Sequence, residues 1–288
     1  MQEIAPHIFI ETSYSGVTLG AIGWDHCLIL IDSPFKAEDA RAWRTNLLNL
    51  GNSSERLLIN LDAHVDRTLG VRAMECTIVG NEEIAEAFRS RPLTFKAQSG
   101  ESGAEWEFHD GISNTRWAPP DITFTQDLII HWEESSIILE KWPGAGVGSI
   151  CIRLPIEKII FIGDMVTPSQ PPFLAEADLP SWIDSLTKLS QPLFNDYIIV
   201  SGRGGVIRQN DVKLQLRFLQ KVQQKIENLA SKTTLLESID HIIPDLLSDF
   251  NFPNQRKSQF QRRLQFGLKQ NFLHHFVQNP PDPNVEPI

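Results

Sequence analysis

The sequence predicts a protein of the α/β class that ends in a helical region. Three observations support this prediction. Apolar runs of strand length alternate with segments that carry apolar residues at helical spacing over the first two thirds of the chain. A stretch rich in Gly, Ser, Pro and Trp at residues 91–123 predicts a long irregular loop. From about residue 210 onward, only helical patterns remain.

The predicted strands are short apolar or β-branched runs bounded by turn-forming residues. In chain order they are HIFIETS at 7–13, TLGAIGW at 18–24, CLILIDSP at 27–34, RLLIN at 56–60, CTIVG at 76–80, DLIIHW at 127–132, SIILEKW at 136–142, GSICIRLP at 148–155, KIIFIGD at 158–164 and DYIIVSG at 196–202. The nearly continuous apolar run of CLILIDSP indicates a strand that is covered on both faces.

The predicted helices show apolar residues three or four positions apart. They are KAEDARAWRTNLLNLG at 36–51, NEEIAEAFRSR at 81–91 with Asn81 as its N-cap, LPSWIDSLTKLSQ at 179–191, a long helix at 210–232, and two more near 234–249 and 254–277. The segment 254–270 is basic, and we expect it to contact the acidic body of its own chain.

The composition excludes several classes of protein. The chain has 288 residues, 41% of them hydrophobic, and a net charge of −10, so it is expected to repel nucleic acids and anionic membranes. No apolar run has the length of a membrane span, and the N-terminus lacks the features of a signal peptide. Three dispersed cysteines predict no disulfide framework. We therefore expect a cytoplasmic protein, either a monomer or a homodimer.

One stretch has the spacing of a metal-binding loop but only half of the suitable residue types. NLDAHVDRTLG, at residues 60–70, follows a predicted strand and contains Asp62, His64, Asp66 and Arg67. Downstream, GAGVGS lies at 144–149, FIGD ends a predicted strand at 164, and SGRGG follows another at 201–205.

In this order and with these gaps, the motifs resemble the metallo-β-lactamase superfamily over about residues 5–210. The resemblance implies an α/β (α+β) fold, a four-layer αββα sandwich of two mixed β-sheets. It further implies a division into a sandwich domain at 1–210 and a C-terminal helical extension packed on it at 211–277. The proline-rich composition of the last residues predicts a flexible tail at 278–288. Members of that family usually hold one or two zinc or iron ions at one edge of the sandwich and activate a water for hydrolysis.

The family's metal ligands can be compared position by position. Its first motif, His-x-His-x-Asp-His, corresponds here to Asp62, His64, Asp66 and Arg67; its next histidine corresponds to Ala145, its bridging aspartate to Asp164 and its last histidine to Arg203. The resemblance therefore implies a degenerate metal site, because three of the ligand positions carry alanine or arginine. These same seven residues form the predicted ligand cleft.

Three buried carboxylates without metal ions need another source of positive charge. Arginine stays protonated and cannot bind a metal, but its planar fork can pair with a carboxylate. We therefore predict that Arg67 and Arg203 fill the second metal position by pairing with Asp66 or Asp164. At the first position, Asp62, His64 and Asp164 could bind one divalent ion at most, zinc, iron or manganese. A protonated His64 would balance the charge equally well.

Three functions remain open from the sequence. The first is a non-hydrolytic protein that binds an anionic small molecule in the former metal cleft. The second is a mononuclear hydrolase of an ester, thioester or lactone, with its ion on Asp62, His64 and Asp164 and with Asp66 as a catalytic residue. The third is an interaction subunit that uses its helical end as a docking surface.

Overall fold

The computed structural model describes residues 1–23, 27–50, 55–97, 102–132, 135–230 and 238–278. These residues form two β-sheets. The first sheet contains seven strands in chain order: β1 (Gln2–Ala5), β2 (Ile8–Glu11), β3 (Leu19–Gly23), β4 (Cys27–Ile31), β5 (Glu55–Ile59), β6 (Thr77–Asn81) and β7 (Ile122–Phe124). The second sheet contains six strands: β8 (Asp127–Trp132), β9 (Ser135–Lys141), β10 (Ile150–Leu154), β11 (Ile159–Phe161), β12 (Ile198–Ser201) and β13 (Gly205–Ile207).

Both sheets are mixed, as predicted. Strands β1 to β4 pair antiparallel, whereas β4 to β7 pair parallel. In the second sheet only β11 and β12 pair parallel. The two sheets pack face to face through one apolar cluster, to which the first sheet contributes Ile29 and Ile59 and the second contributes Ile152 and Phe161. This packing explains why the strands that meet at the interface are nearly continuous apolar runs.

Helices cover the outer face of each sheet and complete the four-layer sandwich. They are α1 (Ala37–Asn46), α2 (Val65–Thr68), α3 (Glu82–Ser90), α4 (Leu179–Leu189), α5 (Gln209–Ala230), α6 (Ile239–Leu247) and α7 (Lys257–Phe272). Ala40 and Trp43 of α1 pack on the outside of β4 and β5. Helices α4 to α7 share a second cluster with the outer face of β10, β11 and β12.

The structure confirms the predicted fold class and most of its elements. Asn81 caps α3 as predicted, since its side chain accepts a hydrogen bond of 3.1 Å from the backbone N–H of Glu83. Within 102–121 of the predicted loop, the chain forms a single 3₁₀ turn at Glu105–Phe108. The short strands β1, β7 and β13 were not predicted, because three or four residues are too few to show a periodic pattern.

Several sequence predictions fall partly outside the described residues. These are the last residue of the strand at 18–24, the last residue of the helix at 36–51, positions 98–101 of the loop at 91–123, the end of the helix at 210–232, the beginning of the helix near 234, and the tail, of which 279–288 lie outside. Among the helices that the structure does describe, none is long and apolar enough to cross a membrane.

Candidate functional site

The candidate site lies where parallel strands of both sheets end. Asp32 follows β4, Asp62 follows β5, Asp164 follows β11, and Arg203 follows β12. Strands β4 and β5 are parallel neighbours, as are β11 and β12, so each pair places its carboxyl ends side by side. Because the two sheets are stacked, the four side chains converge at one edge of the sandwich.

Local hydrogen bonds fix the loop that leads from β5 into α2. Asp62 Oδ1 accepts a hydrogen bond of 2.8 Å from the backbone N–H of His64, which is an Asx turn. His64 is the N-cap of α2, and its Nδ1 accepts from the backbone N–H of Asp66 at 3.2 Å. Asp66 and Arg67 consequently lie in the first turn of α2, and both are fully buried.

Arg67 is surrounded by three carboxylates. Its Nη1 donates to Asp32 Oδ2 at 2.9 Å and its Nη2 donates to Asp164 Oδ1. Its Nε lies 3.1 Å from Asp62 Oδ1, an ion pair without hydrogen-bond alignment. Gly202 provides space for this guanidinium, because a Cβ at that position would lie 2.9 Å from both Nη atoms.

Arg203 bridges the remaining charged groups. Its Nε donates to Asp164 Oδ2 at 2.7 Å and its Nη1 donates to Asp66 Oδ2 at 2.8 Å. Its Nη2 lies 3.2 Å from Nδ1 of His64, and its guanidinium stacks over the ring of Phe173. Asp164 therefore receives one guanidinium on each oxygen.

Comparisons with known proteins agree with this architecture. The model of the metallo-beta-lactamase superfamily matches residues 75–200. A metallo-beta-lactamase from Pontibacter korlensis superposes with a TM-score of 0.62 at 20% identity, covering 76% of this chain and 97% of that one. A metallo-beta-lactamase family protein from Thermus thermophilus superposes with a TM-score of 0.63 at 16% identity, covering 94% and 93%.

The chain has the metallo-β-lactamase fold. The resemblance predicted from the sequence motifs is thereby confirmed. The stereoselective inverting sec-alkylsulfatase Pisa1 from Pseudomonas sp. has the same fold, with a TM-score of 0.66 at 14% identity. It covers 99% of this chain, but this chain spans only 52% of the sulfatase. No curated protein matches the chain in sequence.

The residues at the metal positions of this metallo-β-lactamase fold do not fit a divalent ion. The Arg67 guanidinium occupies the space between Asp62 and Asp164, and the Arg203 guanidinium occupies the space between Asp66, Asp164 and His64. A metal ion needs the same oxygen and nitrogen atoms, and a guanidinium offers no lone pair to it. Within the described part of the chain, no group of three or more His, Cys, Asp or Glu side chains is placed to hold a metal.

The sequence predicted that Arg67 and Arg203 each pair with Asp66 or Asp164, and both do, since Arg67 pairs with Asp164 and Arg203 pairs with both aspartates. The structure differs from the prediction that both arginines fill the second metal position, because Arg67 also pairs with Asp62 and Asp32. Arg67 thus lies among the carboxylates assigned to the first metal position. The difference arises because Arg67 lies one residue after Asp66 in α2, so the two side chains leave the helix in different directions.

The four aspartates differ in pKa because they pair with different guanidiniums: Asp164 pairs with two, and each of the others pairs with one. Burial raises the pKa of Asp32 to about 7, and Arg67 offsets only part of that effect. Burial likewise raises the pKa of Asp62 against the attraction of Arg67. Burial also opposes ionisation of Asp164, but Arg203 and Arg67 together hold its pKa well below the usual range. Burial opposes ionisation of Asp66 as well, but Arg203 and the backbone N–H of Trp106 lower its pKa. The two carboxylates that pair with Arg203 are therefore the ones held in their charged form.

His64 is neutral, so the predicted alternative of a protonated His64 is wrong. Burial and the neighbouring Arg203 lower its pKa to about 3. The hydrogen bonds agree, because both the backbone N–H of Asp66 and the Arg203 guanidinium direct donors at Nδ1. The ring proton must then be on Nε2. The proton that Asp32 retains below about pH 7 removes one negative charge from the site, which then has three carboxylates beside two guanidiniums.

We predict opposite pH dependences for two single substitutions in this site. The folded-state pKa of His64, about 3, lies below its usual 6.5, so its contribution to stability is lost as the pH falls from 6.5 toward 3. The folded-state pKa of Asp32, about 7, lies above its usual 3.8, so its contribution is lost as the pH rises from 3.8 toward 7. In the wild type these two effects largely cancel.

Asp32→Asn should therefore be destabilised relative to wild type on acidification, and His64→Asn should be destabilised on raising the pH over the same range. Asparagine at position 64 can still cap α2, so the helix is retained. Urea unfolding at several pH values between about 4 and 7 measures both slopes. Parallel pH profiles for the two variants would contradict this assignment of protons.

The sequence did not reveal two parts of the site. Asp32 follows the apolar run of the predicted strand CLILIDSP, and a carboxylate directly after a buried strand was the available signal. The second part is the 3₁₀ turn at Glu105–Phe108, whose first two backbone N–H groups donate to Asp66 at 3.3 and 2.9 Å. Nothing in the sequence of that loop indicates this contact.

Helix α7 is linked to the site through Glu105. The carboxylate of Glu105 forms an ion pair with Arg256 and accepts a hydrogen bond of 3.1 Å from Gln259. Arg263, also in α7, donates to the backbone carbonyl of Gly103 at 2.8 Å. The prediction that the basic segment contacts the chain's own acidic groups is confirmed at Arg256.

An open cleft of about 290 Å³ lies beside the ion-paired centre. In the described part of the chain, His64 and Ala145 are the two predicted cleft residues that line it. Arg203 lines a separate polar cavity of about 440 Å³, between the segment 12–18 and Arg256. Asp62, Asp66 and Arg67, each at most 2% exposed, line neither space.

Proposed function

We propose that this protein is a non-hydrolytic member of the metallo-β-lactamase fold, in which two arginines replace the metal ions and the adjacent cleft binds a small anionic molecule. One observation supports the proposal: the guanidiniums of Arg67 and Arg203 form ion pairs with the carboxylate oxygens of Asp62, Asp66 and Asp164. These carboxylates are buried and each is paired with a guanidinium, so they are unsuited to activating a water molecule.

The alternative function, a mononuclear hydrolase, requires metal-ligand atoms that already interact with Arg67 or Arg203. A mononuclear site would need the side chains of Asp62, His64 and Asp164 to turn toward one ion. In the structure Asp62 and Asp164 pair with Arg67, and His64 accepts a hydrogen bond from Arg203. Asp66, its predicted catalytic residue, accepts hydrogen bonds from two backbone N–H groups and from Arg203. The names of the superposed structures, β-lactamase and sulfatase, describe the activities of those proteins.

The C-terminal helices have a place in this proposal. We propose that the extension at 211–277 closes one side of the cleft, in place of serving as a separate docking module. Phe266 and Gly267 of α7 line the cleft, and Gly267 lies so close to Leu174 that a Cβ there would be 3.1 Å from the Leu174 Cβ. The ion pair between Arg256 and Glu105 secures the same helix to the loop that supports Asp66.

We predict that the protein, purified without chelator, contains well under one equivalent of zinc, iron or manganese per chain. The reason is that two guanidiniums fill the space that ions would occupy. Elemental analysis of the purified protein measures this directly. A second sample, saturated with zinc and then desalted, serves as the control against scarcity of metal during expression. Two tightly bound ions per chain in either sample would contradict the proposed function.

A further inference from the structure

Resting on the proposed function, we infer that the cleft takes a small monocarboxylate with an apolar body and that Arg91 binds the carboxylate. Arg91 follows directly after α3 and lines the cleft together with His64 and Ala145. Three features of the cleft support this inference: the partners of the four arginines nearest to it, the polarity of its walls and the position of Glu176.

Arg91 has unused hydrogen-bond donors. Its Nη2 donates to the backbone carbonyl of Ala63 at 3.1 Å, whereas its Nη1 is buried and has no acceptor. No carboxylate in the described part of the chain lies within ion-pair distance of it. Burial lowers the pKa of Arg91, and the nearest acids, Glu176 and Asp62, do not compensate. A guanidinium in this condition gains more than an exposed one from an anionic partner.

The other arginines near the cleft already have acidic or carbonyl partners. Arg67 and Arg203 are neutralised by the buried aspartates. Arg263 donates to the backbone carbonyls of Gly103 and Pro171 and to the side chain of Gln170. Among these four cations, Arg91 is the one with free capacity to bind an anion.

The position of Arg91 is fixed before a ligand arrives. Its guanidinium lies 4.9 Å from the ring of Phe88 and 4.8 Å from the ring of Trp117, and these two rings stack on each other. Contacts of this kind restrict the side chain, so little conformational freedom remains to be lost on binding. The bond to Ala63 further ties Arg91 to the loop that contains His64.

His64 supplies a second donor. Its Nδ1 is occupied by Asp66 and Arg203, and its Nε2–H has no acceptor among the described residues. The ring is partly exposed and lines the same cleft as Arg91. A carboxylate can accept from both groups, one of which is charged and one neutral.

The remaining walls select an apolar, singly charged molecule. The apolar residues that line the cleft include Ala63, Ala87, Val147, Phe173, Leu174 and Phe266. The volume of about 290 Å³ is at the small end of ligand pockets. Glu176 also lines the cleft and is exposed, so it disfavours a second negative charge on the ligand. Phosphate and dicarboxylates are therefore poorer matches than a monocarboxylate.

The test is isothermal titration of the full chain at low salt with octanoate, phenylacetate, benzyl alcohol and inorganic phosphate. We expect the two carboxylates to bind, and the alcohol and phosphate to bind much more weakly. Arg91→Gln should weaken carboxylate binding by at least about tenfold, the loss expected for a charge-assisted hydrogen bond. The matched control is Arg89→Gln, which removes the same charge from an exposed position two residues away.

Each other outcome has a defined meaning. Equal carboxylate binding by wild type and Arg91→Gln would overturn the role of Arg91. Preferential binding of phosphate would overturn the ligand class. Neither result would contradict the proposed anion-binding function. Binding of none of the anions would overturn the inference and the anion-binding part of the proposed function together. Arg91→Lys covers the case in which the glutamine variant does not fold, because lysine keeps the charge but lacks the planar fork and should also bind the carboxylates more weakly.

Discussion

Arg67→Met is expected to lose a large part of the protein's free energy of unfolding. The substitution removes a cation that contacts Asp32, Asp62 and Asp164 together. Breaking a fully buried ion pair by removing one partner costs about 3 to 5 kcal/mol. A typical domain has a free energy of unfolding of about 5 to 15 kcal/mol, so the substitution should remove a large fraction of that free energy. Urea unfolding followed by circular dichroism measures the effect.

The control for this prediction is Arg153→Met. Arg153 also forms an ion pair, with its Nε 2.9 Å from Glu140 Oε2, but both side chains are 23% exposed. Solvent-accessible pairs contribute about 0 to 1 kcal/mol, so this variant should unfold close to the wild-type midpoint. If Arg67→Met were no less stable than Arg153→Met, the guanidinium would not be neutralising the aspartates.

A combined variant separates charge from packing in the same experiment. Adding Asp32→Asn and Asp62→Asn to Arg67→Met removes two of the carboxylates that the arginine leaves unpaired. Stability should then recover in part, because neutral amides are cheaper to bury than unpaired charges. A purely steric role for Arg67 predicts no recovery, since the amides have nearly the same shape as the carboxylates.

The sequence predicted the sandwich well because its elements carry strong periodic signals. CLILIDSP begins with five consecutive apolar residues and KIIFIGD contains four, and both segments contribute to the interface between the two sheets. The strands that were missed, such as β13 at Gly205–Ile207, lie at sheet edges or contain only three or four residues. Their pairing depends on neighbours elsewhere in the chain, which a local pattern does not contain.

The site was predicted less completely, for reasons that differ between residues. The spacing of Asp62, His64 and Asp66 is local and was visible in the sequence. The protonation of His64 depends on its burial against Arg203, which is 139 residues away in sequence. The support of Asp66 by the turn at Glu105–Phe108 depends in the same way on chain folding. Burial and long-range contacts set pKa values, so a motif alone cannot give the charge of its members.

Restoring the family's histidines should convert the protein into one whose folding depends on zinc. The variant combines Asp62→His, Arg67→His, Ala145→His and Arg203→His. Without metal it loses both guanidiniums, so Asp32, Asp66 and Asp164 remain buried without a cation, and we expect it to be unfolded. Each zinc ion that binds the folded state stabilises it by mass action, by about 4 kcal/mol at a thousandfold excess over the dissociation constant. Two ions should therefore restore the fold.

The geometry favours such a conversion, because strand ends and not the ligands set these positions. The segment that contains Ala145 lies against Asp62, since a Cβ on the adjacent Gly146 would be 3.1 Å from the Asp62 Cβ. Three imidazoles at positions 62, 64 and 145 then form a first zinc site. Asp66 and imidazoles at 67 and 203 form the second, with Asp164 between the two. The preformed scaffold is the reason to expect binding at micromolar zinc.

The matched control is the double variant Asp62→His and Ala145→His, which provides the three imidazoles of the first site but keeps both arginines. Because the Arg67 guanidinium still occupies the space between positions 62 and 164, we expect this variant to take up no zinc. Elemental analysis after zinc exposure, together with thermal unfolding with and without zinc, measures both variants. Zinc uptake by the double variant would show that missing ligands, and not the arginines, exclude the metal. A quadruple variant that neither folds nor binds zinc would show that these four positions do not correspond to the family's ligands. That result would also contradict the interpretation of the ion-paired centre as a replaced metal site.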